Sequence, residues 1–354
     1  MLNLFAGEAY MLKKSQNLKE FFSSFTKGVL VSLFLISLFA FPQSIYSQTA
    51  PNLEQGKKLF EEEKYEEAKV VLEDLLKSEP KNHQANFFLG KINFFQENHD
   101  QAIEYGKKAV KQKDSDSEYR LWLGRSYMLK AQNSGMLKAL FAAKSGKKEY
   151  EKAIELDSTN AEARFDLCMF LTQAPGIAGG DEKKAKKQAE IIQSLDPILG
   201  FYAWGSIWEK DGKLDKAEAS LRRAIELDTS SNHQSTYFLG YFFQRHEKYD
   251  EAVNLFEDLL KNNPDERNAL YQIGKTYVLA KDSLDKAERC FKRYLEENPP
   301  KNSPGWAGAH WRLGMVYDLQ GKTDLALKEL KKAVELEPES ESFKKTLKEV
   351  EKKK

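Results

Sequence analysis

Gly56, Gly90 and Gly124 stand 34 residues apart, and Gly240 and Gly274 repeat the same step further along. Around each glycine the neighbours also recur. A Leu, an Ile or an aromatic usually precedes it, an Ala follows about twelve residues later, and a Pro, Ser or Thr closes the unit after a similar interval. A fixed period with fixed chemistry at each phase means one supersecondary unit copied many times. Such an array grows by length without enlarging a central core, so its 354 residues do not set a domain count. Function then belongs to a surface made by stacking.

From Pro51 onward almost every stretch has helical periodicity, with Gly or a short polar cluster between helices. Eight units follow: 49–82, 83–116, 117–160, 161–197, 198–231, 233–266, 267–301 and 307–340. Their phases are carried by residues such as Tyr65-x2-Ala68, Leu89-Gly90, Leu239-Gly240, Ile273-Gly274 and Pro264. Small residues at the Gly and Ala slots let the two helices of one hairpin approach closely. Large apolar residues fill the space between hairpins, and Pro stops the second helix. Since no unit buries its apolar face alone, the last needs a cover. Phe343, Leu347 and Val350 supply one apolar stripe on a Lys/Glu-rich segment at 341–354.

The grid resembles the tetratricopeptide repeat, whose pattern is W-x2-L-G-x2-Y, then A-x3-F, then P. Leu313-Gly314-x2-Tyr317 and Ala252-x3-Phe256 with Pro264 match it, whereas the leading Trp slot is mostly filled by other residues. The resemblance implies an all-α, right-handed alpha-alpha superhelix of about eight helical hairpins plus a C-terminal capping helix. It also implies a groove faced by the fifth and ninth positions of each first helix. Carried onto this chain, the groove residues are Phe87, Lys91, Arg125, Phe165, Tyr202, Tyr237, Tyr241, Tyr271, Lys275 and Trp311. Aromatic rings bury much area at low entropic cost, and Arg or Lys can pair with a carboxylate, so the row suits a peptide or helix of a partner protein. Family members that grip a C-terminal carboxylate also use Asn at positions not filled here.

Two places break the period. The third unit is about ten residues too long, with Met136, Leu137, Leu140 and Phe141 at helical spacing inside the surplus. The extra length predicts an extended second helix and a protruding hairpin. Its apolar side either packs on its own first helix or forms a second docking ridge. The fourth unit carries Ala174-Pro175-Gly176-Ile177-Ala178-Gly179-Gly180-Asp181 between its helices. Glycines before a helix can bind an anion, but a phosphate loop would continue with Lys and Ser or Thr. Asp181 serves better there as the helix N-cap. A long third unit followed by such a loop is similar to a subset of exported bacterial tetratricopeptide proteins.

Residues 1–47 read as an address. Lys13, Lys14, Lys19 and Lys27 precede an uncharged apolar run from Gly28 to Phe41, and small residues follow up to Ser47. This is the layout of a secretory signal with cleavage after Ser47, the alternative being an uncleaved anchor. The run is shorter than the roughly 20 residues that span a bilayer. The rest of the chain is therefore expected outside the cytoplasm, and with the resemblance to exported bacterial proteins this implies the periplasm, or the outer-membrane or secreted side, of a bacterium. Membrane contact is expected only through that segment.

The composition excludes several classes. Lys and Arg total 55 against 54 Asp and Glu, without the concentrated excess that phosphate backbones require. No nucleic-acid partner is expected. Cys168 and Cys290 lie three repeats apart, roughly 30 Å at about 10 Å per hairpin, too far for a disulfide. The five histidines fall at unrelated phases with no metal-ligand spacing, and the carboxylates alternate with lysines. No enzymatic activity, cofactor or metal is expected. The reading is an envelope scaffold that binds a partner protein. The alternatives are a periplasmic chaperone or holdase and a cell-wall glycan-binding module.

Overall fold

The computed structural model describes residues 52–297 and 304–353. The signal segment at 1–47 and Pro299 lie outside the described residues. Those residues contain seventeen α-helices, a 3-10 turn and no strand. The helices are α1 (Leu53–Glu61), α2 (Tyr65–Ser78), α3 (His83–Phe95), α4 (His99–Gln112), α5 (Ser117–Gln132), α6 (Met136–Leu156), α7 (Ala161–Gln173) and α8 (Glu182–Leu195). They continue with α9 (Pro197–Lys210), α10 (Leu214–Leu227), α11 (Gln234–Arg245), α12 (Tyr249–Asn262), α13 (Arg267–Ala280), α14 (Leu284–Leu295), α15 (Trp306–Leu319), α16 (Thr323–Leu336) and α17 (Glu341–Glu351). Eight hairpins and one final helix result. The chain divides into two compact units, one ending at Ser220 and the other starting at Leu221.

Within the first unit, the second helix of each hairpin packs on the first helix of the next: α2 on α3, α4 on α5, α6 on α7 and α8 on α9. First helices also touch one another in succession, α1 with α3, α3 with α5, α5 with α7 and α7 with α9. Polar residues closing one repeat start the next. Asn82, Asp116, Asn160 and Asp196 each accept a hydrogen bond from a backbone N–H in the following helix's first turn, at 2.9, 3.3, 2.8 and 3.0 Å to Ala85, Tyr119, Ala163 and Leu199. Each satisfies a donor that the helix cannot satisfy itself.

The glycine period has a steric cause. A Cβ on Gly124 would sit 2.6 Å from Tyr150 Cε1, and one on Gly314 would sit 2.7 Å from Leu330 Cγ. Gly90 lies so close to Gly106 that a Cβ would be 3.3 Å from its backbone nitrogen. Ala68, Ala102, Ala185, Ala252, Ala287 and Ala326 are fully buried at the matching slot of the second helix. Cys168, in the glycine slot of α7, is also buried, with its Sγ donating to Ala185 O at 3.3 Å.

The second unit follows the same packing order through α12 on α13, α14 on α15 and α16 on α17. Its core includes Phe256, Phe291 and Tyr294, all fully buried. Phe343 and Val350 of α17 are buried, and Leu347 packs beside Val350's cluster. The repeat's apolar stripe thus ends under a helix whose outer face is charged.

Candidate partner-binding site

In the first unit, the predicted positions surround an aromatic cluster on α3 and α5. Phe87 is buried and stacked on Tyr119 with ring centroids 4.4 Å apart. Lys91 crosses this cluster, its Nζ lying 4.5 Å from the Trp122 ring and 5.1 Å from that of Phe60. Burial lowers the Lys91 pKa, and Glu118 at 3.9 Å opposes that shift. Arg125 donates through Nε to Asp166 at 2.6 Å and through Nη2 to Glu162 at 2.9 Å. Its guanidinium also lies 5.0 Å from Trp122. A ligand carboxylate at Arg125 would therefore compete with two of the chain's own. Phe165 is half-buried and Tyr202 is buried.

In the second unit, Tyr237 is buried and donates to Glu266 at 2.7 Å. Tyr241 is half-buried under Lys275, whose Nζ lies 5.4 Å from the ring. Lys275 itself is buried. Tyr271 and Trp311 meet at a cavity of about 240 Å³ that Gln272, Gly308, Arg312 and Phe343 also line. Trp311 is braced on both sides, tilted on Phe343 at 5.1 Å with the Arg312 guanidinium 4.5 Å from its ring. Its Nε1 donates to Thr346 at 3.0 Å. Gln272 Oε1 and Arg312 Nε are buried without a hydrogen-bond partner among the described residues. The cavity thus has aromatic walls, and two of its lining residues each carry a buried polar atom left unpaired.

The two breaks in the period come together in space. Helix α6 is 21 residues long, against 12 to 14 in most others, and its first turns carry the predicted ridge. Met136, Leu137 and Phe141 are 88%, 72% and 70% exposed, and Leu140 is half-buried. The 3-10 turn Gly176–Ala178 of the Pro175–Asp181 loop packs beside α6, and Lys147 Nζ reaches Gly179 O at 3.5 Å. Asp181 caps α8, accepting from Lys184 N at 3.1 Å. Asp181, Glu182 and Asp211, with Lys210, line a cavity of about 210 Å³ beside this loop, and the excess of carboxylates is unsuited to an anion.

Family models described as "Tetratricopeptide repeat" match residues 53–118, 201–231, 243–302 and 307–340, together more than half of the chain. The chain belongs to the tetratricopeptide repeat family. Among curated proteins, a TPR repeat-containing protein of Methanocaldococcus jannaschii is 31% identical over 151 residues, 42% of this chain and 26% of that protein. Protein O-mannosyl-transferase TMTC3 of Homo sapiens is 25% identical over 154 residues, 43% of this chain and 17% of that protein. The chain thus spans about a quarter or less of these relatives' lengths. A solved structure of an IFIT1 monomeric mutant with m7Gppp-AAAA has 18% identity and a TM-score of 0.52. It covers 84% of this chain and 61% of that one, a likeness of fold.

Within the TPR frame, the phase rule found Tyr271 and Trp311 but passed over their neighbours Gln272, Arg312 and Phe343. The only signal for Gln272 and Arg312 was adjacency on α13 and α15, whereas Phe343 was read only as part of the covering stripe on α17. Among the described residues no group of His, Cys, Asp and Glu is arranged to hold a metal ion. Cys168 and Cys290 are both free thiols. Burial pushes their pKa values up to about 12 and about 11.

Proposed function

We propose that this TPR chain is a non-enzymatic scaffold of the cell envelope that binds an extended or helical segment of a partner protein. As a TPR protein it has the architecture of a protein-interaction scaffold. The finer reading rests on the cavity between Tyr271 and Trp311, with its unused Gln272 Oε1 and Arg312 Nε. On side-chain rotation, Gln272 Oε1 would accept from a bound backbone N–H, and Arg312 Nε would donate to a carbonyl or carboxylate. The rings would cover apolar side chains between them. Export is supported by the basic-then-apolar pattern of residues 1–47.

The test is photo-crosslinking in intact cells from a reactive side chain placed at Ser342, on the cavity rim. A defined protein captured reproducibly, and lost on Trp311→Ala with Gln272→Ala, supports the reading. If no protein is captured, or capture survives both substitutions, partner binding at this cavity fails. Cell fractionation with N-terminal sequencing checks export separately. Retention in the cytoplasm would overturn the location alone.

A further inference from the structure

The end of the α5–α6 hairpin combines two features that the repeat does not require. The first is charge of one sign. From Tyr119 to Lys148 there are seven Lys and Arg residues and no Asp or Glu, although 54 of the chain's 354 residues are acidic. Four of these cations have acidic partners, Lys147 with Glu151 at 3.7 Å among them. Arg120 pairs with Glu149, Arg125 with Asp166 and Glu162, and Lys130 with Asp100. The other three, Lys138, Lys144 and Lys148, all lie on α6, are exposed and form no ion pair among the described residues. The first turn of α6 also lacks an acidic residue, so the positive end of the helix dipole adds to the same field.

The second feature is apolar exposure. Met136, Leu137 and Phe141 stand 70% or more exposed, and Ile177, on the 3-10 turn packed beside α6, is 82% exposed. Side chains that open to solvent project from a surface instead of lining a groove. Leu137, Phe141, Lys144 and Lys148 recur at four, three and four residues, so they share one exposed stripe. Along it the apolar side chains come first and the lysines follow. At 1.5 Å per residue, Phe141 and Lys148 are separated by about 10 Å of helix. That span matches the depth to which interfacial helices bury their apolar side chains. Flexible lysine stems can hold their ammonium groups at the phosphates.

We infer that the tip of the α5–α6 hairpin, with Ile177 beside it, docks on an anionic lipid surface. Met136, Leu137 and Phe141 enter the headgroup–acyl boundary, and Lys138, Lys144 and Lys148 contact the lipid phosphates. Neither the cavity at Trp311 nor its occupant takes part. Charge complementarity selects the lipid, because the unpaired cations follow the protruding apolar side chains along the same helix.

The test uses the full chain carrying Leu137→Cys labelled with an environment-sensitive fluorophore. Cys168 and Cys290 are poor competitors for the label because their thiols stay protonated. Vesicles of mixed phosphatidylcholine and phosphatidylglycerol should shift the emission to the blue, and phosphatidylcholine alone should not. Because the dye sits on α6, insertion of the N-terminal apolar run alone would leave it in water. Each of Lys138→Gln, Lys144→Gln and Lys148→Gln should lower affinity for the mixed vesicles about fivefold, and added salt should act in the same direction. Met136→Ser with Phe141→Ser should lower it at least tenfold, roughly, at unchanged helicity.

Three results would each overturn the inference. One is no shift, or an equal shift with neutral vesicles. Another is a shift produced by polyglutamate and not by vesicles, which would assign the tip to an acidic protein chain. The last is a shift that grows with protein concentration without lipid, which would assign it to a second copy.

Discussion

In hairpin α11–α12, Gly240 lies against Phe256, and Val253, Phe256 and Leu259 of the second helix are all buried. Hairpin α5–α6 opens on the same contact, Gly124 against Tyr150, and Tyr150 and Ala153 are buried alike. There the likeness ends. Gly240 and Phe256 are sixteen residues apart and Gly124 and Tyr150 twenty-six, so the ten surplus residues lie between the two contact points. The core of α5–α6 is therefore undisturbed, and the added turns leave Met136, Leu137 and Phe141 exposed. Stacking consumes apolar surface wherever the period holds and leaves it exposed where the period is exceeded.

The sharpest break of this comparison would come from two phenylalanines. Phe256→Ala should destabilise by about 3–5 kcal/mol in urea denaturation followed by circular dichroism, since a fully buried ring leaves a cavity. Phe141→Ala should change stability by less than about 0.5 kcal/mol. Similar losses at both sites would mean that the α6 tip is packed and the contrast false.

A smaller effect is expected where the irregular hairpins hold together electrostatically. Asp166 is buried and bonded to Arg125. Burial works to raise its pKa, and Arg125 pulls it the other way. Asp166→Ala would strand a guanidinium still partly tied to Glu162. The expected loss is about 2–3 kcal/mol, discounted because Arg125 is partly exposed. No loss in the melting midpoint would show that Glu162 alone suffices.

In the regular half, the link between α10 and α11 depends on Asp228, which accepts from Ser235 Oγ at 2.6 Å and Ser235 N at 3.2 Å. Burial works to raise the Asp228 pKa, but hydrogen bonds from Ser230 and Ser235 outweigh it and hold the value below the ordinary one. A depressed folded pKa contributes stability above the unfolded value of about 3.9 and loses it as the pH falls through the folded one. Asp228→Asn should therefore cost about 1 kcal/mol at neutral pH. The difference from the parent should shrink in denaturation curves taken below about pH 4. A constant difference across pH would remove the charge from the explanation.

The smallest effect tests what the two regions share. Glu97 and Glu247 close α3 and α11 in the left-handed conformation, with φ of 58° at both. Each is followed by a residue whose N–H reaches back to the helix, Asn98 to Asn93 O and Lys248 to Phe243 O. Gly212 and Gly321 occupy the same turn elsewhere, with φ of 72°. Glu97→Gly and Glu247→Gly should each stabilise by about 0.5–1 kcal/mol, read from thermal midpoints, because glycine adopts this region without a Cβ penalty. Destabilisation would mean that the glutamates stabilise the turn through their side chains.

Much of the fold was legible because each repeat states its own packing rule locally. Gly124 must be small because Tyr150 lies on it, and Asn82 and Asn160 must be polar because a helix starts after them. Phe343, Leu347 and Val350 announced a covering helix through spacing alone. The candidate site was legible in part. The phase rule located Tyr271 and Trp311, yet five of the ten predicted groove residues, Phe87, Tyr202, Tyr237, Tyr271 and Lys275, are buried. Position on a helix face does not say how far the next hairpin covers that face. Nor could the sequence reveal that Arg125 is held by Asp166, 41 residues away.

By itself the sequence determined the repeating hairpin and the slots where only small side chains fit, since these follow from contacts within about one period. Tertiary structure decided which apolar residues stay uncovered, which charges are neutralised, and that the α6 extension and the Pro175–Asp181 loop lie side by side. Those outcomes depend on distances between neighbouring hairpins, and a period read along the chain carries no measure of them.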